Sequence, residues 1–301
     1  MQQKILNHYL QTGIFTNAGC YANYFKTLPD DIKQTGLLIR KQLIHRTTLK
    51  AGNVGTNKDL RFGDMKRVPW WRLRCEDDIL PTAASMLAEL FRRDPKGIHS
   101  ARKAEHKLVV TCRYTTILVA AILKSKGIPC RARSGFASYF LIGDGRSWDH
   151  WINEYWNVKE KRWVAIDIDG CMSMQEKYNP FDLPQNSFDY AAPTWLAIRN
   201  KKTDEKQFVN ASGHAGWRPV MWAVFYDFHC LMNNELIYNQ CPAYVSGFDT
   251  KIPEKELKEI DELAKLMLNP DENFDKLKHI WETKKKYRKL VSPLVSAKDW
   301  K

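Results

Sequence analysis

The sequence predicts an α+β fold in which one buried helix packs on an antiparallel sheet, and three observations predict it. Residues 112–126 are apolar nearly all round (Ile117, Leu118, Val119, Ala120, Ala121, Ile122, Leu123), a pattern that suits a helix with no solvent face. Residues 130–142, 150–158 and 163–169 follow as strand-like runs, joined by Gly143-Asp144-Gly145 and by Lys159-Glu160-Lys161-Arg162. Helical periodicity returns on both flanks, so helical segments are expected to cover this core at either end.

The elements can be justified in chain order. Residues 1–28 read as short helices broken at Gly13 and Gly19. Ile32, Leu37, Leu38, Leu43 and Ile44 fit one helix across 30–48, interrupted by Gly36. Residues 50–58, with Gly52, Asn53, Gly55 and Asn57, read as a loop, and the aromatic, basic run Arg67-Val68-Pro69-Trp70-Trp71-Arg72-Leu73-Arg74 follows. Ile79, Ala83, Met86, Leu87, Leu90 and Phe91 then recur at helical spacing behind Asp77 and Asp78, whose charge suits a helix start. That helix should end before Asp94-Pro95, because the residue preceding a proline avoids helical geometry. Gly127 supplies a C-cap to the buried helix, and Pro129 prevents its continuation. Beyond Gly170, Pro180, Pro184 and Pro193 punctuate a loop-rich stretch. Trp217–Leu231 reads as another buried helix, and 254–290 as a charged amphipathic helical region. At 301 residues the chain is expected to be one elaborated domain, with a core at 108–170, a mainly helical region at 1–107 and a loop-rich, then helical region at 171–301.

Composition narrows the partners. The net charge is +13, yet the excess is spread along the chain apart from Lys284-Lys285-Lys286-Tyr287-Arg288-Lys289, and no nucleic-acid-binding signature accompanies it. A solvated basic surface is expected, and no nucleic-acid partner. Residues 1–10 lack the apolar stretch of a secretory signal, and nothing approaches the ~18 uninterrupted apolar residues of a membrane span. Seven cysteines, scattered without CxxC pairs, fit reduced thiols in a cytoplasmic protein and give no structural zinc site.

Three residues in order carry chemistry. Cys112 opens the buried helix, where unpaired backbone N–H groups and the positive dipole end lower a thiol's pKa and can hold an oxyanion. His150 opens an aromatic strand and Asp167 closes the next. A turn centred near residue 159 places His150 opposite positions 167 to 169, and Asp167 and Asp169, two apart, share a face. Strand registers in which paired numbers sum to 317 or 319 set His150 beside a carboxylate. A sum of 318 sends both carboxylates to the far face. An imidazole can take the thiol's proton and later protonate a leaving amine, while a carboxylate fixes the imidazole's tautomer.

These motifs carry a resemblance. Thr111-Cys112-Arg113-Tyr114, Lys126-Gly127-Ile128-Pro129-Cys130-Arg131 and Ser134-Gly135-Phe136, then His150-Trp151-Ile152-Asn153-Glu154 and Trp163-Val164-Ala165-Ile166-Asp167, resemble the transglutaminase-like superfamily over residues 108–170. The resemblance implies a papain-like arrangement, with Cys112 as nucleophile, His150 as base and Asp167 as orienting acid. Asp169 is the alternative acid. Thr111 stands where the family often has Gly, and Ile168 where Pro is common, which marks a divergent branch. The cysteine pairs of the family's zinc-binding glycanases are absent from the sequence.

The expected reaction is acyl transfer through a Cys112 thioester on a peptide, protein or small amide or ester. Hydrolysis is favoured over an amine acceptor, because water needs no second site. No cofactor is required. A non-catalytic binding module on the same fold is the rival. Trp70, Trp71 and Trp151 are candidates for the substrate cleft. Arg131 and Arg133 are expected to face solvent or pair with acids, His214-Ala215-Gly216-Trp217-Arg218 reads as a turn, and His45-Arg46 reads as structural.

Overall fold

The computed structural model describes residues 3–46, 76, 79–139, 144–170, 178–238 and 240–291. Trp70, Trp71 and the loop at 50–58 lie outside them. The chain divides into two compact units. One, the Cys112 unit, is built from residues 2–132 and 151–185; the other, the C-terminal unit, from residues 133–150 and 186–301.

In the Cys112 unit, α1 (Gln3–Leu10) buries Ile5 and Tyr9, and α2 (Ala22–Lys26) buries Phe25. Helix α3 (Ile32–Arg40) begins at Asp31, whose carboxylate accepts from the Gln34 N–H at 2.7 Å. Gly36 serves α3 by its lack of a side chain: a Cβ there would run into Ile168 and Phe181. The helix expected across 30–48 stops at Arg40. Leu43–His45 is instead a strand, β1, parallel to β2 (Leu108–Val110), with Leu43 opposite Leu108, Ile44 opposite Val109 and His45 opposite Val110. The physical reason is burial. Leu43 and Ile44 are adjacent and both fully buried, as a parallel strand covered on both faces requires.

Helix α4 (Ala83–Arg93) opens with a capping box in which the Thr82 hydroxyl accepts from the Ser85 N–H. It ends where Asp94 turns extended ahead of Pro95, as the sequence predicts. Helix α5 (Cys112–Ser125) is buried at every position from Cys112 to Lys124. Each of its Ile and Leu side chains contributes roughly 1.5–3 kcal/mol by leaving water. Gly127, at φ +76°, then adopts the left-handed conformation that ends the helix.

Three strands follow: β3 (Cys130–Ala137), β4 (Ser147–Asn157) and β5 (Arg162–Ile166). Strands β4 and β5 form an antiparallel hairpin from Asn153 opposite Ile166 to Asn157 opposite Arg162, and each pair of numbers sums to 319. Strand β5 is shorter than expected, so Asp167 and Asp169 stand just past its end. Val164, Ile166 and Ile168 nonetheless keep the buried face that their alternation predicts.

In the C-terminal unit, β6 (Asp189–Tyr190) pairs with β3 through Gly135 and Phe136, and β7 (Phe208–Val209) lies parallel to β4 at Ser147 and Trp148. Helix α6 (Ala191–Arg199) falls in the stretch expected to be loop-rich. Its Pro193 sits in the first turn, where no intrahelical N–H is needed. Helix α7 (Trp217–Leu231) is buried along most of its length, and α6 packs against it and against α8 (Glu254–Met267). Helix α9 (Phe274–Thr283) completes the helical end of the chain. Among the described residues, no helix is long and apolar enough to cross a membrane.

Candidate active site

Cys112 is the first residue of α5 and 4% exposed. The thiol therefore stands at the positive end of a 14-residue helix. Strand β2 leads straight into this turn through Thr111. Arg113, next along, is fully buried, with its guanidinium 4.7 Å from the Phe15 ring centre and 4.8 Å from that of Tyr114. Those contacts keep a cation within the apolar wall of the helix start.

The β1–β2 ladder sets His45 opposite Val110, two residues before Cys112. The Cys112 sulfur is among the groups that act on the His45 imidazole and favour its charged form. Its Nε2 also lies 3.4 Å from Asp169 Oδ2, and its side chain is 18% exposed. Burial pushes the imidazole's pKa down, but the Asp169 carboxylate and the Cys112 sulfur outweigh it against weak opposition from Arg40, so the pKa is raised. Asp169 is fixed from a second side: its Oδ1 accepts from the Thr115 hydroxyl at 3.2 Å, one turn along α5 from Cys112. The carboxylate thus ties α5 to the strand that carries His45.

Asp167 is 1% exposed. Its Oδ1 accepts from the Gly170 N–H at 2.7 Å, and its own N–H donates to the Pro180 carbonyl at 2.8 Å. These bonds turn the chain sharply after β5 and hold the carboxylate in place. Trp151 is 2% exposed, and its carbonyl accepts from the Thr116 hydroxyl at 3.2 Å. Asn153 reaches the same helix turn, donating to the Thr116 carbonyl at 3.0 Å. Strand β4 is thereby stitched to the first two turns of α5.

His150 closes the residue 133–150 segment of the C-terminal unit and is 1% exposed. Within that unit its ring meets Tyr139 and Phe188 edge-on, each at 6.4 Å between centroids. Of the residues singled out by sequence, Cys112 and the alternative acid Asp169 come together in one cluster with Thr115. His45, read from sequence as structural, joins them. Its signal is not local: only the pairing of 43–45 with 108–110 brings it to the thiol. Among the described residues, no group of three or more His, Cys, Asp or Glu side chains is placed to hold a metal ion.

Arg131 and Arg133 pair with acids rather than facing solvent. Arg131 Nε donates to Glu154 at 2.6 Å, and its guanidinium stacks 4.2 Å from the Trp163 ring centre. Arg133 forms two bonds to the fully buried Asp227, at 2.8 and 2.9 Å.

Residues 89–168 match the family profile of the Transglutaminase-like superfamily. This segment is similar to a transglutaminase-like core. It contains α5, the β3–β5 strands, Cys112, His150 and Asp167, and the α+β fold with a buried nucleophile helix on an antiparallel sheet is the fold of that family. No curated protein matches the chain. A solved structure from Cytophaga hutchinsonii, provisionally described as a cysteine protease, shares 11% identity over 63% of this chain and 46% of that chain, with a TM-score of 0.36. The chain therefore spans less than half the length of that structure. The match is to residues 89–168 alone, and a likeness of fold leaves the reaction open.

Proposed function

We propose that the protein is a thiol-dependent acyl-transfer enzyme that hydrolyses an amide or ester through a thioester on Cys112. Cys112 is the nucleophile, His150 the base and Asp167 the acid that orients it. One observation carries the reading of Cys112 as nucleophile: the residue heads a buried helix, and its sulfur acts on the His45 imidazole, whose Nε2 lies 3.4 Å from Asp169 Oδ2. A structural cysteine needs none of these partners. Two further observations support it. The β4–β5 ladder runs at a sum of 319, the register that sets 169, the alternative acid, opposite 150, with Asp167 on the same strand face. The Asp167 carboxylate is buried and held by a backbone N–H rather than left to solvent.

In this reading Cys112 attacks the carbonyl carbon, and backbone N–H groups at the start of α5 receive the negative charge on oxygen. His150 protonates the leaving group and then takes a proton from the water that resolves the thioester. Water is preferred as acceptor because it needs no second binding site. The substrates are peptides, proteins or small amides and esters.

Alkylation with iodoacetamide at mildly acidic pH tests the reading, followed by mass spectrometry of the protein after exposure to activated esters and peptide mixtures. The expected result is stoichiometric labelling of Cys112 and an acyl adduct that a Cys112→Ala variant lacks. A thiol inert below its ordinary pKa of about 8.5, with no adduct, would leave a non-catalytic binding module.

A further inference from the structure

We propose that His45, anchored by Asp169, is a second catalytic imidazole: it receives the Cys112 proton in the resting protein and holds the sulfur as a thiolate. The proposal rests on the reading of Cys112 as nucleophile. It deepens that reading by dividing the work between two histidines.

The geometry carries the assignment. The parallel β1–β2 ladder fixes His45 opposite Val110, at the entrance to the helix that Cys112 opens. The Cys112 sulfur acts on the imidazole, whose Nε2 sits 3.4 Å from Asp169 Oδ2. The other oxygen of Asp169 is held by Thr115 on the nucleophile's own helix. Backbone pairing on one side and the carboxylate on the other restrict the ring's movement. A structural histidine in an apolar wall would be neutral. Here the ionisable groups acting on the ring are Asp169 and Cys112, which favour its charge, and Arg40 from α3, which opposes it. The balance raises the pKa of His45, so the imidazolium is favoured where a thiolate can pair with it.

The proton balance is simple. The S–H bond of Cys112 breaks and an N–H bond forms on His45, giving a thiolate–imidazolium pair. On attack the S–C bond forms and the carbonyl π electrons move to oxygen. When the tetrahedral adduct collapses, the bond to the leaving group breaks and that group takes a proton from protonated His150. Neutral His150 then removes a proton from water as the hydroxide oxygen attacks the thioester, and the thiolate leaves to re-form its pair with His45. His45 stays protonated through the cycle, whereas His150 gives and regains a proton. Two imidazoles thus perform two tasks that a single ring would have to alternate between.

The test is the pH profile of Cys112 alkylation in the full-length chain, with thiolate ultraviolet absorbance measured against a Cys112→Ala blank. His45→Gln is expected to slow alkylation at about pH 6 by roughly tenfold or more, and to recover the wild-type rate above about pH 9.5, where any thiol ionises. Asp169→Asn should shift the profile in the same direction by a smaller factor, and it serves as the second variant should His45→Gln fold poorly. His150→Gln should abolish turnover while leaving alkylation at about pH 6 in place. An unchanged profile in His45→Gln and Asp169→Asn, or equal slowing at every pH, overturns the role of His45 without touching Cys112. Loss of mildly acidic alkylation in the wild type itself would instead overturn the reading of Cys112 as nucleophile.

Discussion

His229 sets an acid limit on the stability of the C-terminal unit. The residue lies on α7 and is fully buried. Its Nε2 is 2.9 Å from the Tyr287 carbonyl, and its Nδ1 is 2.9 Å from the Asn234 amide nitrogen. Nε2–H therefore donates and Nδ1 accepts, which is the pattern of a neutral ring. A proton on Nδ1 would face the amide's own N–H. Burial is the main cause that lowers the pKa, from its ordinary 6.5 to about 4; Arg288 adds to it, and the Tyr287 carbonyl opposes it. Above pH 6.5 the ring is neutral folded or unfolded and the stability is intact. Between 6.5 and 4 only the unfolded chain takes the proton, so stability falls with pH; below 4 the loss is complete. Each pH unit in that window is worth about 1.4 kcal/mol, which gives a loss of about 3 kcal/mol. His229→Gln keeps a donor for the Tyr287 carbonyl but cannot titrate. Urea unfolding followed by tryptophan fluorescence suits the comparison, because Trp281 lies 4.8 Å from the ring. The wild-type curve should descend relative to the variant's by about 3 kcal/mol between neutral pH and about pH 4. Parallel curves would refute the reasoning, since other titrating groups act on both proteins alike.

Two further outcomes follow from buried charge. Asp227→Ala leaves the guanidinium of Arg133, 6% exposed, without its two-pronged partner, and should cost about 3–5 kcal/mol in chemical denaturation; the paired change Arg133→Met with Asp227→Leu should recover most of that loss. Burial, with help from Arg40 and Lys41, pushes the Lys107 ammonium down to about 8. Its amine should therefore acetylate ahead of the surface lysines at about pH 8 in a mass-spectrometric time course, and labelling at the common rate would count against it.

How legible each part was depends on how local its cause is. Helix α5 and helix α7 are written in continuous apolar runs, and α5 also carries its own stop at Gly127. The β4–β5 hairpin is legible for a similar reason. Its turn residues are consecutive, and Lys161 takes the positive φ of 53° that the reversal needs. Leu43 and Ile44 misled because two adjacent apolar residues fit a helix stripe as well as a doubly buried strand. What decides between them is a parallel partner at 108–110, and no periodicity within 30–48 encodes it. The same long-range pairing hid His45. Helix α6 was obscured by Pro193, which reads as a breaker unless the helix is known to begin at Ala191. Arg131 and Arg133 left their surroundings open, because an alternating arginine looks alike whether it meets solvent or a buried acid; Asp227, the partner of Arg133, is 94 residues away.

The two acids that the sequence offered as alternatives have separate structural jobs, and that separation can be measured. Asp169 bridges Thr115 and His45, so its charge acts on the thiol's ionisation. Asp167 bonds the Gly170 N–H and has the role of orienting His150 in the proposed reaction. A methyl group at Gly170 would overlap the Asp167 carboxylate, so Gly170→Ala displaces that carboxylate without removing it. Small misplacements of a positioning group cost up to about a hundredfold in rate. Gly170→Ala and Asp167→Asn should therefore both lower turnover while leaving the Cys112 alkylation profile where it is. Asp169→Asn should move the profile. Equal effects of all three substitutions on the profile would mean that the carboxylates act as one electrostatic cluster, and the division between an ionising pair and an orienting pair would fail.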